Sequence, residues 1–340
     1  MVTAPGRRRW WRIGRVVFTL GAAALAAYVV SGKTDEIAGA TSAFDHLNVP
    51  WLAVAIVAEA MAVLAFAALQ RVLLDAGGVM VGMGPLTALT LAGNALQNSL
   101  PGGAAAATVY AFRQYRVRGA DEVLAGWMLI AVSVLSGLGI AIVAAVGVAI
   151  STDQANANDL VLVVAAVLAL SLAGAVAVRR GALPTIAAWG IRVGKRFTGR
   201  PKGDVQAMVD DAIGRISTVT PTWRAWLLAG SMALANWIFD CGALAIAFLA
   251  IGVGIPWRGL LLAYGAGQLA ANLPITPGGL GVVEGSLTVA LVAYGGAQSS
   301  TVAAVLLYRL LSFWALLPVG WAAIGGLAWR NRRSAAEPAA

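Results

Sequence analysis

From Val123 to Ile150 the chain runs for 28 residues without a charged side chain. As a helix this stretch is about 42 Å long, against roughly 30 Å for the hydrocarbon core of a bilayer. Burial in a water-soluble core does not account for it, because the same pattern recurs along the sequence. An ordinary globular domain is about 25% charged, whereas this chain of 340 residues is 11% charged and 60% hydrophobic, with a mean hydropathy of +0.81. Such a sequence needs lipid as its solvent. A lipid-exposed backbone must satisfy its own hydrogen bonds, so the spans are expected to be helices.

Six apolar stretches, bounded by charges, read as simple spans: 13–31, 51–70, 123–150, 160–178, 223–251 and 301–329. Two more are broken. Block 85–112 is interrupted by Asn94, Asn98, Pro101, Gly102 and Gly103, and block 259–292 by Gln268, Asn272, Pro274, Pro277, Gly278 and Gly279. Half of 85–112 makes only about 21 Å of helix, which enters the hydrocarbon without crossing it. Positive charge concentrates on the cytoplasmic side. If both broken blocks turn back as re-entrant hairpins, 21 of the 24 basic residues fall inside, with Lys33 and Arg258 outside and Arg309 within a span. Reading 85–112 as a crossing would invert every later loop, including the most basic one.

The expectation is therefore an all-α polytopic membrane protein with six full spans and two re-entrant hairpins. The order is span, span, hairpin, span, repeated once. An odd number of crossings in each half inverts the second copy, giving pseudo-repeats over 13–150 and 160–329. The motifs GNALQNSLPGG at 93–103 and GQLAANLPITPGG at 267–279 occupy matching places. Residues 1–340 read as a single transmembrane domain, with a basic cytoplasmic loop at 179–222, a disordered tail at 334–340 and both termini cytoplasmic in the plasma membrane. Arg7–Arg9 followed by Val16–Val30 also has the form of a secretory signal. It is read as a retained span, since its removal would destroy the parity of the repeats.

Charges at membrane depth are costly, about 2.5–3.5 kcal/mol each on insertion scales, and usually functional. Four stand out: Glu59, Asp240, Glu284 and Arg309. Glu284 follows the Pro277–Gly281 break and either serves the substrate pathway or caps the returning helix near its positive end. Broken helices paired across an inverted repeat are the usual place of a transporter's substrate site. Arg309 lies eight residues into its span, where it can snorkel, pair with Glu284 or meet a lipid phosphate. Asp240 shares a helix face with Asn236 and is read as packing glue or substrate contact, and Glu59 as a structural partner rather than a proton site. Asn94, Asn98 and Asn272 can satisfy hairpin backbone, line the pathway, or both. Arg113, Arg116 and Arg118 suit anionic lipid phosphate, or mark topology alone.

Trp10, Trp11, Trp51, Trp223, Trp226, Trp257, Trp321 and Trp329 fall near the expected interfaces as an aromatic belt. One cysteine, Cys241, and one histidine, His46, exclude a disulfide framework and a His-cluster zinc site. Cys241 reads as packing and His46 as a surface residue. There is no GxxxxGK[ST] phosphate loop, HExxH or GxSxG. No metal, cofactor or nucleic-acid partner is expected, because the net charge of +9 reads as a record of topology.

At 272–284 (NLPITPGGLGVVE), followed by an apolar span carrying Tyr308-Arg309, the sequence resembles the membrane domain of the lysylphosphatidylglycerol synthases. The segment GNALQNSLP at 93–101 and the basic run Arg113–Arg118 are similar to the first half of that family. This chain has Gly102-Gly103-Ala104 where family members often continue with polar, acidic residues, so no acidic role is carried to the first hairpin. The resemblance implies a flippase-like protein that moves an aminoacylated or glycosylated phospholipid, or a polyprenyl-phosphate carrier, between leaflets. It marks Pro277, Gly278, Gly279, Glu284 and Arg309 as functional positions. Full-length synthases add a soluble aminoacyltransferase domain, which is not found before Ala340, so transport without enzymatic synthesis is expected. The expected partners are membrane lipids and cell-envelope synthesis enzymes. Two alternatives come from other classes: a membrane-embedded transferase using Glu284 or Asp240 as base on a lipid-linked sugar or aminoacyl group, and a cell-envelope scaffold.

Overall fold

The computed structural model describes residues 47–100, 103–151, 221–271 and 276–336. Within them every regular element is helical. Two long helices, α1 (Val49–Ala76) and α5 (Trp223–Ile251), run antiparallel. Asn48 caps α1 by accepting the Trp51 N–H, and Thr222 caps α5 by accepting the Ala225 N–H at 3.2 Å. Gly252 ends α5 in the left-handed conformation, with φ 82°. The start of α1 is tied to the end of α5, where Asn48 N–H donates to the Ala250 carbonyl at 2.8 Å. Near mid-helix, Asn236 Nδ2 donates to the Ala62 carbonyl at 3.0 Å. Among the described residues these helices make the most extensive contact.

Each broken block forms two short helices packed on one another. The first consists of α2 (Met83–Ser99) and α3 (Gly103–Val117), and the second of α6 (Trp257–Ala271) and α7 (Val282–Ala293). None exceeds 17 residues, about 25 Å. Two further long helical runs complete the described fold. One is α4 (Glu122–Ser151). The other joins α8 (Gln298–Arg309) through a π-turn at Leu310–Trp314 to α9 (Leu316–Ala336). Four runs are long and apolar enough to cross a membrane: Val49–Ala76, Glu122–Ser151, Trp223–Ile251 and Gln298–Arg332. They correspond to the expected spans 51–70, 123–150, 223–251 and 301–329. The expected spans 13–31 and 160–178, the loop 179–222 up to residue 220, His46, Pro101 and Asn272 lie outside the described residues.

Packing between the halves is reciprocal. The first arm of the first broken pair, α2, lies along α9, while the first arm of the second, α6, lies along α4. Glycine allows both approaches. A Cβ on Gly147 of α4 would stand 2.5 Å from the backbone nitrogen of Leu262 in α6, and one on Gly320 of α9 would strike the Leu91 carbonyl of α2. Side-chain bonds reinforce the first broken pair: Gln70 Nε2 donates to Thr90 Oγ1 and Tyr115 OH to Gln70 Oε1, both at 2.8 Å, so that α1, α2 and α3 share one buried network. Apolar side chains such as Val54, Ile56, Val57, Leu227, Leu228 and Ile238 are exposed along the long helices, as lipid-facing residues must be. Trp51, Trp223, Trp226 and Trp257 are exposed at the first turns of α1, α5 and α6, where a belt belongs.

Arg113 and Arg116 lie in α3, which continues uninterrupted to Val117, before Gly119 turns with φ 97°. Helix α9 runs on to Ala336, and residues 337–340 of the expected disordered tail lie outside the described residues.

Because the backbones touch at Gly147 and Gly320, Gly147→Val and Gly320→Val are each expected to destabilise the fold by about 1–3 kcal/mol through overpacking. A lowered unfolding midpoint in mixed detergent titrations is the check.

Candidate functional site

Ahead of α7 the second broken pair turns at Pro277–Gly281, where Pro277–Gly279 form a 3₁₀ turn. Gly278, Gly279 and Gly281 have φ of 62°, 69° and 80°, a region open to glycine at little cost. Such a break frees backbone groups that hydrocarbon cannot satisfy, and each group left unpaired costs several kcal/mol. Two side chains take them up. Arg309 Nη2 donates to the Gly278 carbonyl at 2.9 Å, and Glu284 Oε2 accepts the Gly281 N–H at 2.7 Å. The same two side chains join each other, with Arg309 Nε to Glu284 Oε1 at 2.7 Å. The guanidinium also lies 4.3 Å from the centroid of the Phe313 ring.

The break of the second pair rests against the tip of the first. A Cβ on Gly278 would collide with the Phe313 ring and stand 3.1 Å from the Asn98 carbonyl. Around this junction opens a cavity of about 470 Å³, in the ordinary range for small-molecule sites of ~300–1,000 Å³. Its polar lining is spread over several helices. Helix α2 gives Thr90, Asn94, Gln97 and Asn98, which share one face at helical spacing, and α4 gives Ser133 and Ser136. Asn236 and Asp240 come from α5, Gln268 from α6, and Tyr308, Arg309 and Ser312 from α8 and the π-turn.

Asp240 is held from three directions. Its Oδ2 accepts Tyr264 OH at 2.5 Å and Gln268 Nε2 at 3.3 Å, and its Oδ1 accepts Tyr308 OH at 3.0 Å. Glu59 of α1, 8% exposed, lines the same cavity as Asp240. No donor of the described residues reaches its Oε2.

The residues singled out from sequence are thus divided by the structure. Arg309, Gly278, Asn94, Asn98 and Asp240 line one cavity. Glu284 stands behind Arg309 as its counter-ion and as the acceptor at the α7 terminus, so its capping and ion-pair roles coexist. Gly279 is buried against Ala271 and Val283, and Pro277 opens the turn. Arg113 and Arg116 are exposed and away from the cavity, with Arg116 bonded to the Ala120 carbonyl at 3.1 Å and 3.6 Å from Glu122. Arg118 turns back onto Gln114, donating to its carbonyl at 2.7 Å and its Oε1 at 2.6 Å. Sequence reasoning did not bring Glu59 to Asp240 or place Gln97, Ser133 and Ser136 in the lining. Gln97 carried a signal, since it lies in the same amide-rich run as Asn94 and Asn98.

The family model for the lysylphosphatidylglycerol synthase TM region matches residues 13–320. The chain belongs to this family. Within the lysylphosphatidylglycerol synthase TM family it is similar to a UPF0104 membrane protein of Methanothermobacter thermautotrophicus, 26% identical over 330 residues that cover 92% of this chain and 94% of that protein. Two shorter similarities are to UPF0104 membrane proteins of the same organism. One is 33% identical over 104 residues, covering 31% of this chain and 30% of the relative. The other is 27% identical over 89 residues, covering 26% and 27%. The match to the family places the cavity, both breaks and the Arg309–Glu284 pair inside the shared membrane region.

Removing one member of a buried pair strands the other. Arg309→Met is expected to cost roughly 3–5 kcal/mol. In a double-mutant cycle with Glu284→Gln, the two losses should be non-additive by more than about 0.5 kcal/mol, measured by reversible unfolding in mixed micelles.

Proposed function

We propose that the protein moves the polar headgroup of a phospholipid or lipid-linked carrier between the leaflets of the plasma membrane, as a flippase-like transporter and not an enzyme. One observation carries the reading: a polar cavity lies where two broken helix pairs meet, within a protein whose long helices expose apolar faces. Its volume of about 470 Å³ suits a headgroup, leaving the acyl chains in the bilayer. Membership in a family named for lipid synthases supports a lipid cargo.

The reciprocal packing of α2 on α9 and α6 on α4 is what an inverted repeat would produce. On this reading both broken pairs are re-entrant, six spans cross the membrane, and both termini are cytoplasmic, following the basic residues. The hairpins open to opposite faces, so that rocking one half against the other exposes a fixed cavity alternately. Arg309 faces the headgroup with its charge balanced by Glu284. The exposed guanidinium groups of Arg113 and Arg116, at the cytoplasmic end of α3, gather anionic phosphate from the inner leaflet, where envelope-synthesis enzymes supply the lipid.

The reading is tested in proteoliposomes with acyl-chain-labelled phospholipids, using a quencher that reaches only the outer leaflet. Glu284→Gln should slow translocation at least about tenfold, or ~1.4 kcal/mol on the barrier, while the protein remains monodisperse. Wild-type rates in that variant would remove Glu284 and Arg309 from the mechanism.

A further inference from the structure

Two carboxyl groups from different helices meet in the cavity wall. Glu59 lies about 15 Å along α1 from its first residue, and Asp240 about 17 Å along α5 from its last. Since the start of α1 is bonded to the end of α5, both stand at one depth, near the middle of a core ~30 Å thick. Both carboxyls line the same cavity, and the antiparallel register that sets Asn48 against Ala250 and Ala62 against Asn236 brings Glu59 level with Asp240. An ionised carboxylate only accepts, and a buried one with no donor to meet it keeps its proton instead. Asp240 already uses both oxygens as acceptors for Tyr264, Tyr308 and Gln268, whereas Glu59 Oε2 meets no donor of the described residues. That arrangement leaves the proton with Glu59.

The surrounding charges do not replace it. Arg309 of α8 faces Asp240, but its Nε and Nη2 are engaged by Glu284 of α7 and the Gly278 carbonyl. Tyr264 of α6 and Tyr308 of α8 donate to Asp240, and the Cys241 thiol beside it in α5 is buried. The polar groups that helices α2 and α4 bring to the cavity wall, Thr90, Asn94, Gln97, Asn98, Ser133 and Ser136, are all uncharged. If the proton leaves, two carboxylates stand side by side in a low dielectric and repel. They do so across the α1–α5 contact, the most extensive among the described residues, so the protonation state acts directly on the packing of the cavity wall.

We propose that Glu59 and Asp240 hold one exchangeable proton between them, and that headgroup movement through the cavity is coupled to that proton's passage down the transmembrane gradient. The step balances simply. Glu59 gives its proton to cavity water on one face, leaving a carboxylate and a hydronium ion, and regains one from water on the other. The coupling rests on the translocation reading; the proton-sharing pair does not.

Two measurements on the full chain separate these. Infrared spectra are recorded in alkyl maltoside micelles, which lack carbonyl groups. At pH 7 the wild type should show the C=O band of a protonated carboxylic acid, shifted in D₂O and lost in Glu59→Gln. Its absence from the wild type overturns the shared proton, and this arm does not depend on any variant folding. In proteoliposomes of phosphatidylethanolamine and phosphatidylglycerol, acyl-chain-labelled phosphatidylglycerol is the probe. An imposed pH gradient should change its rate of leaflet exchange in the wild type, and the dependence should be lost in Asp240→Asn. Equal rates with and without the gradient, or dependence on sodium instead of pH, overturn the coupling alone. No movement of any probe lipid overturns the translocation reading on which the coupling stands.

Discussion

A helix broken inside a membrane holds its shape only if something answers the backbone groups it releases, and in this protein Arg309 and Glu284 do so together. One guanidinium reaches the Gly278 carbonyl and the Glu284 carboxylate, and that carboxylate in turn takes the Gly281 N–H. The pair therefore closes a ring through the turn, so neither charge is buried alone. Such an arrangement reconciles two costs, that of an unpaired backbone group and that of an unpaired ion in low dielectric. With the turn fixed, Gly278 can sit against Phe313 and the Asn98 carbonyl, and the tip of one broken pair is registered against the other.

The cavity follows from that registration. It opens where α2 and α6, each lying along the last span of the opposite half, bring their amide-rich segments toward the α1–α5 pair. Two kinds of ionisable group meet its space. Arg309 is electrically balanced from behind by Glu284, while Glu59 and Asp240 face one another across two helices. A headgroup in the cavity thus meets a neutralised cation, a carboxyl pair and a lining of amides and hydroxyls. With one proton shared, the carboxyl pair keeps a single negative charge, spread over hydrogen bonds from Tyr264, Tyr308 and Gln268. That balance favours passage over tight retention.

Much of this was legible in the amino-acid sequence, because lipid imposes simple rules. Among the described residues, uninterrupted apolar runs marked the long helices, though they stopped short of the ends of α1 and α9, and Pro-Gly-Gly with neighbouring amides marked both breaks. Arg309 and Glu284 were conspicuous since a charge at that depth needs a reason. What the sequence left open was pairing. Nothing local says that Glu59 on α1 meets Asp240 on α5, because that contact depends on how antiparallel helices 181 positions apart in the numbering are rotated. The role of Glu284 was undecided for a similar reason: its i−3 neighbour Gly281 is local, but its partner Arg309 comes from another helix. The basic residues of α3 were visible as charge, yet whether they belonged to a loop or a helix depended on where α3 stops.

The central claim is that one cavity serves both faces of the membrane, and Asn98 is the residue to question it with, since it lines the cavity at the junction of the two breaks. In a Cys241→Ser background, which removes the chain's one cysteine, Asn98→Cys can be labelled with a membrane-impermeant maleimide in right-side-out and in inside-out vesicles. Alternating access predicts labelling from either side, slowed from both by a saturating lipid substrate. Labelling confined to one side would contradict it and leave a pocket open to a single face.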